Sequence, residues 1–158
     1  MDYVIKSESK EATLELGRAL GAVLEGGDVL CLSGDLGAGK TLLTQGIAAS
    51  LGITSAVTSP TFTLIQEYSA LGQGKPLRFI HMDLYRLEHS EEVEVIGVED
   101  AFQDDAICII EWPKIAHDVL PEDRLDIQIQ GSGEEIRVIT FIFKTGNWQE
   151  RLQQVLAG

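Results

Sequence analysis

Eight consecutive residues, Gly34-Asp35-Leu36-Gly37-Ala38-Gly39-Lys40-Thr41, hold the densest chemistry in this chain. Their spacing, Gly-x-x-x-x-Gly-Lys-Thr, is the Walker A pattern. Glycines let backbone N–H groups turn inward around an anion, a lysine spans the β- and γ-phosphates, and a threonine hydroxyl ligates Mg²⁺. A helix opening at Thr41 adds its positive end. The loop therefore predicts an ATP site with Gly37, Ala38, Gly39, Lys40, Thr41 and Leu42 as nucleotide contacts. A dinucleotide fingerprint fails, because Leu42 stands where its third glycine belongs.

Such a loop needs a carboxylate at the end of a neighbouring buried strand to hold Mg²⁺ or its water shell. The run Ile107-Cys108-Ile109-Ile110-Glu111-Trp112 reads as that strand, with Glu111 at its C-terminal end, where open α/β sheets bind ligands. The plain alternative is a solvated strand-end glutamate. Trp112 either shields the site from water or simply packs. In Phe79-Ile80-His81-Met82-Asp83, alternation puts Phe79, His81 and Asp83 on one face, and Ile80, Met82 and Leu84 on the other. Asp83 either orients an attacking water, touches the metal sphere or caps a turn. His81 alone reads as a core histidine with its hydrogen bonds satisfied. The hydroxyl-rich Ser59-Pro60-Thr61-Phe62-Thr63 stands where a segment sensing the γ-phosphate often lies, though such a stretch is also an ordinary loop.

The elements that must position these groups follow from periodicity. Val4-Ile5 is a short strand, and Ser9 caps a helix from Lys10 to about Leu24 that Gly26-Gly27 stops. Val29 to Ser33 is a strand buried on both faces, and Thr41 to Leu51 a helix ended by Gly52. Thr61 to Tyr68 and Leu77 to Asp83 form an antiparallel hairpin with a long loop, and Glu91 to Ile96 is weakly helical. Pro113 to Val119 suits a short helix with Pro in its first turn. Arg124 to Gln130 and Ile136 to Lys144 make a second hairpin around Gly131-Ser132-Gly133. Trp148 to Leu156 is a closing helix. The whole predicts an α/β fold of the P-loop NTPase type in three layers. A mixed, mostly parallel sheet is flanked by helices and carries antiparallel hairpins, all in one domain spanning 1–158.

Composition narrows the partners. With 12 basic and 25 acidic residues, the net charge is −13. Nucleic-acid phosphates repel such a surface, so any RNA is expected to be held by a partner. Cys31 and Cys108 lie in apolar runs and read as buried free thiols of a reducing compartment. His81, His89 and His117 show no zinc-ligand spacing. No apolar run reaches the ~18 residues of a membrane span, and Met1 to Lys6 does not read as a leader, so a cytoplasmic protein is expected.

Four segments in fixed order go further: the loop at 34–41, Ser59 to Thr63, His81-Met82-Asp83-Leu84-Tyr85-Arg86-Leu87 and Ile110-Glu111-Trp112. Together they closely resemble the TsaE (YjeE) family, the ATPase of bacterial tRNA threonylcarbamoyladenosine synthesis. The likeness runs from Ala12-Thr13-Leu14-Glu15-Leu16-Gly17 to Leu120-Pro121. It implies Mg²⁺-dependent ATP binding and hydrolysis, with a TsaD–TsaB pair that modifies an adenosine beside the anticodon. Carried over by motif, Lys40 and Thr41 serve phosphate and Mg²⁺, Glu111 serves Mg²⁺, and Asp83 is needed for hydrolysis. Lys10 and Arg137 correspond to nucleotide contacts from the N-terminal segment and the late hairpin. Candidate catalytic residues are thus Lys40, Thr61, Asp83 and Glu111, and candidate metal ligands Thr41 and Glu111.

Two other functions fit the loop. A small-molecule kinase would bring several arginines to the transferred phosphoryl group, whereas Arg18, Arg78, Arg86, Arg124, Arg137 and Arg151 are dispersed. A nucleotide-dependent assembly factor that hydrolyses little would use the same residues as an ATPase. With no evident arginine finger or water-positioning Gln, slow turnover alone and stimulation by partners are expected.

Overall fold

The structure is a computed structural model that describes residues 1–34, 39–53, 65–84, 98–131 and 135–157. In chain order it comprises β1 (Asp2–Ser7), α1 (Lys10–Ala22), β2 (Val29–Gly34), α2 (Lys40–Ser50), β3 (Ile65–Gly72), β4 (Lys75–Asp83), a 3₁₀ turn (Val98–Phe102) and β5 (Ala106–Glu111). A second 3₁₀ helix (Pro113–Val119), β6 (Leu125–Gly131), β7 (Arg137–Ile142) and α3 (Gly146–Ala157) complete it.

The described strands form one sheet of seven, ordered β1-β7-β6-β2-β5-β4-β3. Its centre, β6-β2-β5-β4, is parallel. Both flanks are antiparallel, with β3 on β4 at one side and β7 and β1 beyond β6 at the other. The two innermost strands are apolar over Val29–Leu32 of β2 and Ala106–Ile110 of β5 because both their faces are covered. On one face Leu30, Leu32, Phe79, Ile107 and Ile109 pack with Leu20 of α1, Leu43 and Ile47 of α2, and Trp148 and Leu152 of α3. On the other, Val29, Cys31, Ile80, Met82, Cys108 and Ile110 meet Leu84 and residues of the two 3₁₀ segments, including Ala101, Phe102 and Val119. The predicted alternation along β4 is therefore present. Cys31 and Cys108 are buried and free, and burial pushes the Cys31 thiol up to about 12.

Local chemistry sets the element ends. The Ser9 hydroxyl accepts from the Ala12 N–H at 3.0 Å, capping α1 as its sequence predicts. The helix stops at Ala22, short of Leu24, because the Val23 and Leu24 N–H groups reach back only three residues, to Leu20 and Gly21. The β3–β4 link is tight where a long loop is predicted. Both strands extend until only Gln73-Gly74 joins them, at φ of 51° and 80°. Two left-handed residues in succession make the turn that matches strand twist. The predicted start of β3 at Thr61, the Ser59–Thr63 loop and the helix at 91–96 lie outside the described residues.

Two contacts hold the helical layer together and fix it to the head of β2. Arg151 of α3 donates to both carboxylate oxygens of Asp28, at 2.5 and 3.1 Å, just before β2. Burial pushes the Asp28 carboxyl above its ordinary value, outweighing the pull of Arg151. The second contact is the crossing of α1 and α2, where Gly17 and Gly46 face each other. A methyl group on Gly46 would sit 2.3 Å from the Leu14 carbonyl oxygen, and one on Gly17 2.4 Å from that of Leu43. No described helix is long and apolar enough to cross a membrane.

The crossing yields a test. Gly46→Ala must push two backbones apart and should lower unfolding free energy by about 1–3 kcal/mol, the usual scale of overpacking. Urea denaturation measures it, and a stability equal to wild type would mean that α1 and α2 do not meet this closely.

Candidate functional site

Parallel pairing brings three strand ends to one edge of the sheet. Leu32 of β2 is in register with Glu111 of β5, and Glu111 with Asp83 of β4. The ladder continues past the strands, with Leu84 N–H donating to the Glu111 carbonyl at 3.1 Å and Trp112 N–H to that of Leu32 at 3.2 Å. By alternation His81, Asp83 and Glu111 share the face of Phe79, Ile107 and Ile109, the one that α2 covers. Glu111 is only 2% exposed, so it is no solvated strand end, while Asp83 is half-buried.

The loop joins β2 to α2 at this edge. Gly37 and Ala38 lie outside the described residues, but both flanks are defined. Gly39, at φ 107°, starts α2 in a conformation that side chains resist, and Leu43 N–H bonds its carbonyl at 3.0 Å. Lys40 reaches back to the end of β2, its Nζ donating to the Gly34 carbonyl at 2.9 Å. The same ammonium lies 3.8 Å from the Trp112 ring centroid, a cation–π distance. Lys40 is 5% exposed, so these contacts hold a cation that burial would otherwise penalise. Thr41 and Leu42 occupy the first turn of α2, both half-buried.

Trp112 reaches Lys40 through an unusual backbone, with φ 58° and ψ 57° directly before Pro113. Bulky residues avoid the left-handed region, and a following proline favours extended geometry. Strain of this kind, of order 1–3 kcal/mol, persists where surroundings fix it, and it collects at functional sites.

The remaining predicted contacts come from the other side of the loop. A methyl group on Gly39 would lie 3.7 Å from Arg137 Nε and 3.9 Å from Thr13 Cγ2. Arg137, at the start of β7, thus borders the loop, with its Nη1 donating to the Ile136 carbonyl. Lys10 is exposed in the first turn of α1, three residues before Thr13. Thr61 lies outside the described residues.

One pairing escapes sequence reasoning. His81 Nε2 and Glu111 Oε2 are 2.6 Å apart, both side chains buried. The sequence places His81 on the face of Asp83, yet nothing local connects it to a residue thirty positions on. For a metal, Thr41, Asp83 and Glu111 offer hard oxygen donors of the kind Mg²⁺ prefers. Among the described residues no three His, Cys, Asp or Glu side chains gather as a metal cage.

A buried strand, a glycine loop closed by lysine and a helix, on the parallel centre of a mixed sheet, define a P-loop α/β protein. Residues 7–139 match the family model for threonylcarbamoyl adenosine biosynthesis protein TsaE, and the chain belongs to that family. A tRNA threonylcarbamoyladenosine biosynthesis protein TsaE from Bacillus subtilis is 41% identical over 96% of this chain and 92% of its own. One from Streptomyces coelicolor is 40% identical over 91% and 99%. The crystal structure of Bacillus subtilus YdiB superposes with a TM-score of 0.80 at 32% identity, covering 99% of this chain and 95% of that one.

Proposed function

We propose that this chain binds ATP with Mg²⁺ and hydrolyses it in the cytoplasm, as one ATPase domain across 1–158. In this reading it serves threonylcarbamoyl modification of the tRNA adenosine next to the anticodon, together with a TsaD–TsaB pair. The observation that carries the reading is the buried Lys40 ammonium, bonded to Gly34 on the loop at the edge where Glu111 and Asp83 end their strands. Membership of the TsaE family and the names of its relatives supply the pathway.

The roles follow from position. Lys40 exchanges the Gly34 carbonyl for β- and γ-phosphate oxygens, which form stronger, charge-assisted bonds. Backbone N–H groups of Gly37 to Leu42 surround the phosphates. Thr41 and Glu111 would hold Mg²⁺, which would supply positive charge against the charge developing on the phosphates. Asp83 orients the attacking water, and Thr61 senses the γ-phosphate. Arg137 and Lys10 contact the nucleotide from beyond Gly39.

Kinase chemistry is disfavoured by the arginines. Arg18, Arg78, Arg124 and Arg151 are committed to carboxylates of Glu15, Asp105, Asp126 and Asp28. Turnover by the isolated chain is accordingly slow, and a partner-supplied group is worth ~10³–10⁵ in rate for related NTPases. The acidic surface leaves the tRNA to the partner pair.

Lys40→Ala should lose most ATP affinity in calorimetry, and unchanged affinity would refute the loop assignment. Asp83→Ala and Glu111→Ala should still bind ATP but turn over about 10²-fold more slowly, a usual cost of removing one transition-state contact. A steady-state ATPase assay, with and without the purified pair, tests both this and the coupling. Full turnover by either variant at saturating Mg²⁺ removes its role, and no stimulation of wild type by the pair removes the partnership.

A further inference from the structure

We propose that His81 is a positioning residue that fixes the Glu111 carboxylate for Mg²⁺, an inference that rests on the ATP·Mg²⁺ reading above. The Nε2–Oε2 distance of 2.6 Å is a short, well-made hydrogen bond. Both side chains are buried, at 0% and 2% exposure, so water does not replace either partner.

The ring is held by the sheet. His81 pairs with Ile109 in the β4–β5 ladder, two residues before the row that joins Asp83 to Glu111 and so on the same face. The imidazole therefore lies diagonally behind Glu111 on the shared face. Its Nδ1 is the one buried side-chain polar atom without a partner among the described residues. Glu111 is thus the only side chain to which the ring is tied by a hydrogen bond there. A core histidine kept for packing alone has no need of a carboxylate, and one kept for hydrogen bonding would satisfy both nitrogens.

The terminal torsion of a glutamate is broad, so an untethered carboxylate turns freely. With Oε2 engaged by Nε2–H, the plane of the group is set and Oε1 is the oxygen left for a metal or its water. Partners of this kind behind metal ligands typically govern metal affinity by 10–100-fold.

The test is calorimetry of full-length protein with a non-hydrolysable ATP analogue, in Mg²⁺ and in EDTA. His81→Phe keeps ring volume and removes the bond, and His81→Gln places an amide N–H near the Nε2 position. In His81→Phe the EDTA affinity should stay within about twofold of wild type, while the gain on adding Mg²⁺ falls about tenfold or more. His81→Gln should recover most of that gain. On a Glu111→Ala background, His81→Phe should change the gain no further.

A wild-type Mg²⁺ gain in His81→Phe would overturn the assignment. So would a His81→Gln protein that melts like wild type yet lacks the gain; this arm decides the matter if the phenylalanine variant fails to fold. Equal loss of affinity with and without Mg²⁺ would make His81 a packing residue and also overturn it. Absence of any Mg²⁺ gain in wild type itself would instead fail the parent reading, and His81's role with it.

Discussion

The register of the central parallel strands is the constraint on which the site depends. Leu32, Glu111 and Asp83 form one row across β2, β5 and β4. A slip of one residue in β5 would turn Glu111 to the opposite face of the sheet, away from α2 and the loop. What prevents the slip is apolar burial on both sides, since every residue from Ala106 to Ile110 is buried and belongs to one face or the other. Shifting it would move a whole strand into the wrong neighbours. The carboxylate's place is therefore determined by side chains that do no chemistry.

Around that row the site contains charges that burial would penalise if they stood alone. Lys40 answers with a carbonyl and an indole face, and Glu111 with an imidazole. The Gly34 carbonyl and the Trp112 ring that meet the lysine are both neutral, and the glutamate keeps a second oxygen. Preorganisation of this kind lowers the reorganisation needed when an anion arrives.

Much of this was legible in the sequence where the signal is local. The glycine loop, the Ser9 cap, the apolar run of β5 and the alternation of β4 each depend on neighbours within a few positions. The parallel centre with antiparallel flanks also followed from strands interleaved with helices and hairpins. What escaped was non-local or conformational. The bond between His81 and Glu111 exists only once β4 and β5 pair. The left-handed Trp112 contradicts what its proline neighbour favours, so propensity alone points away from it. The extended β3–β4 hairpin hid because Gly72, Gly74 and Pro76 look like loop residues, although only Gln73-Gly74 turns the chain.

The salt link between Asp28 and Arg151 bears on where this molecule can be divided. The match to the family model ends at residue 139, whereas α3 begins at Gly146. A chain trimmed to the model's match would keep Asp28 in its sheltered place at the head of β2 and remove the guanidinium that pairs with it. It would also strip Trp148 and Leu152 from the layer that backs the loop helix. Uncoupling a buried ion pair costs about 3–5 kcal/mol, a large part of what a domain this size has to spare. The span that the family model matches is thus shorter than the span whose packing is interdependent, and α3 belongs to the second.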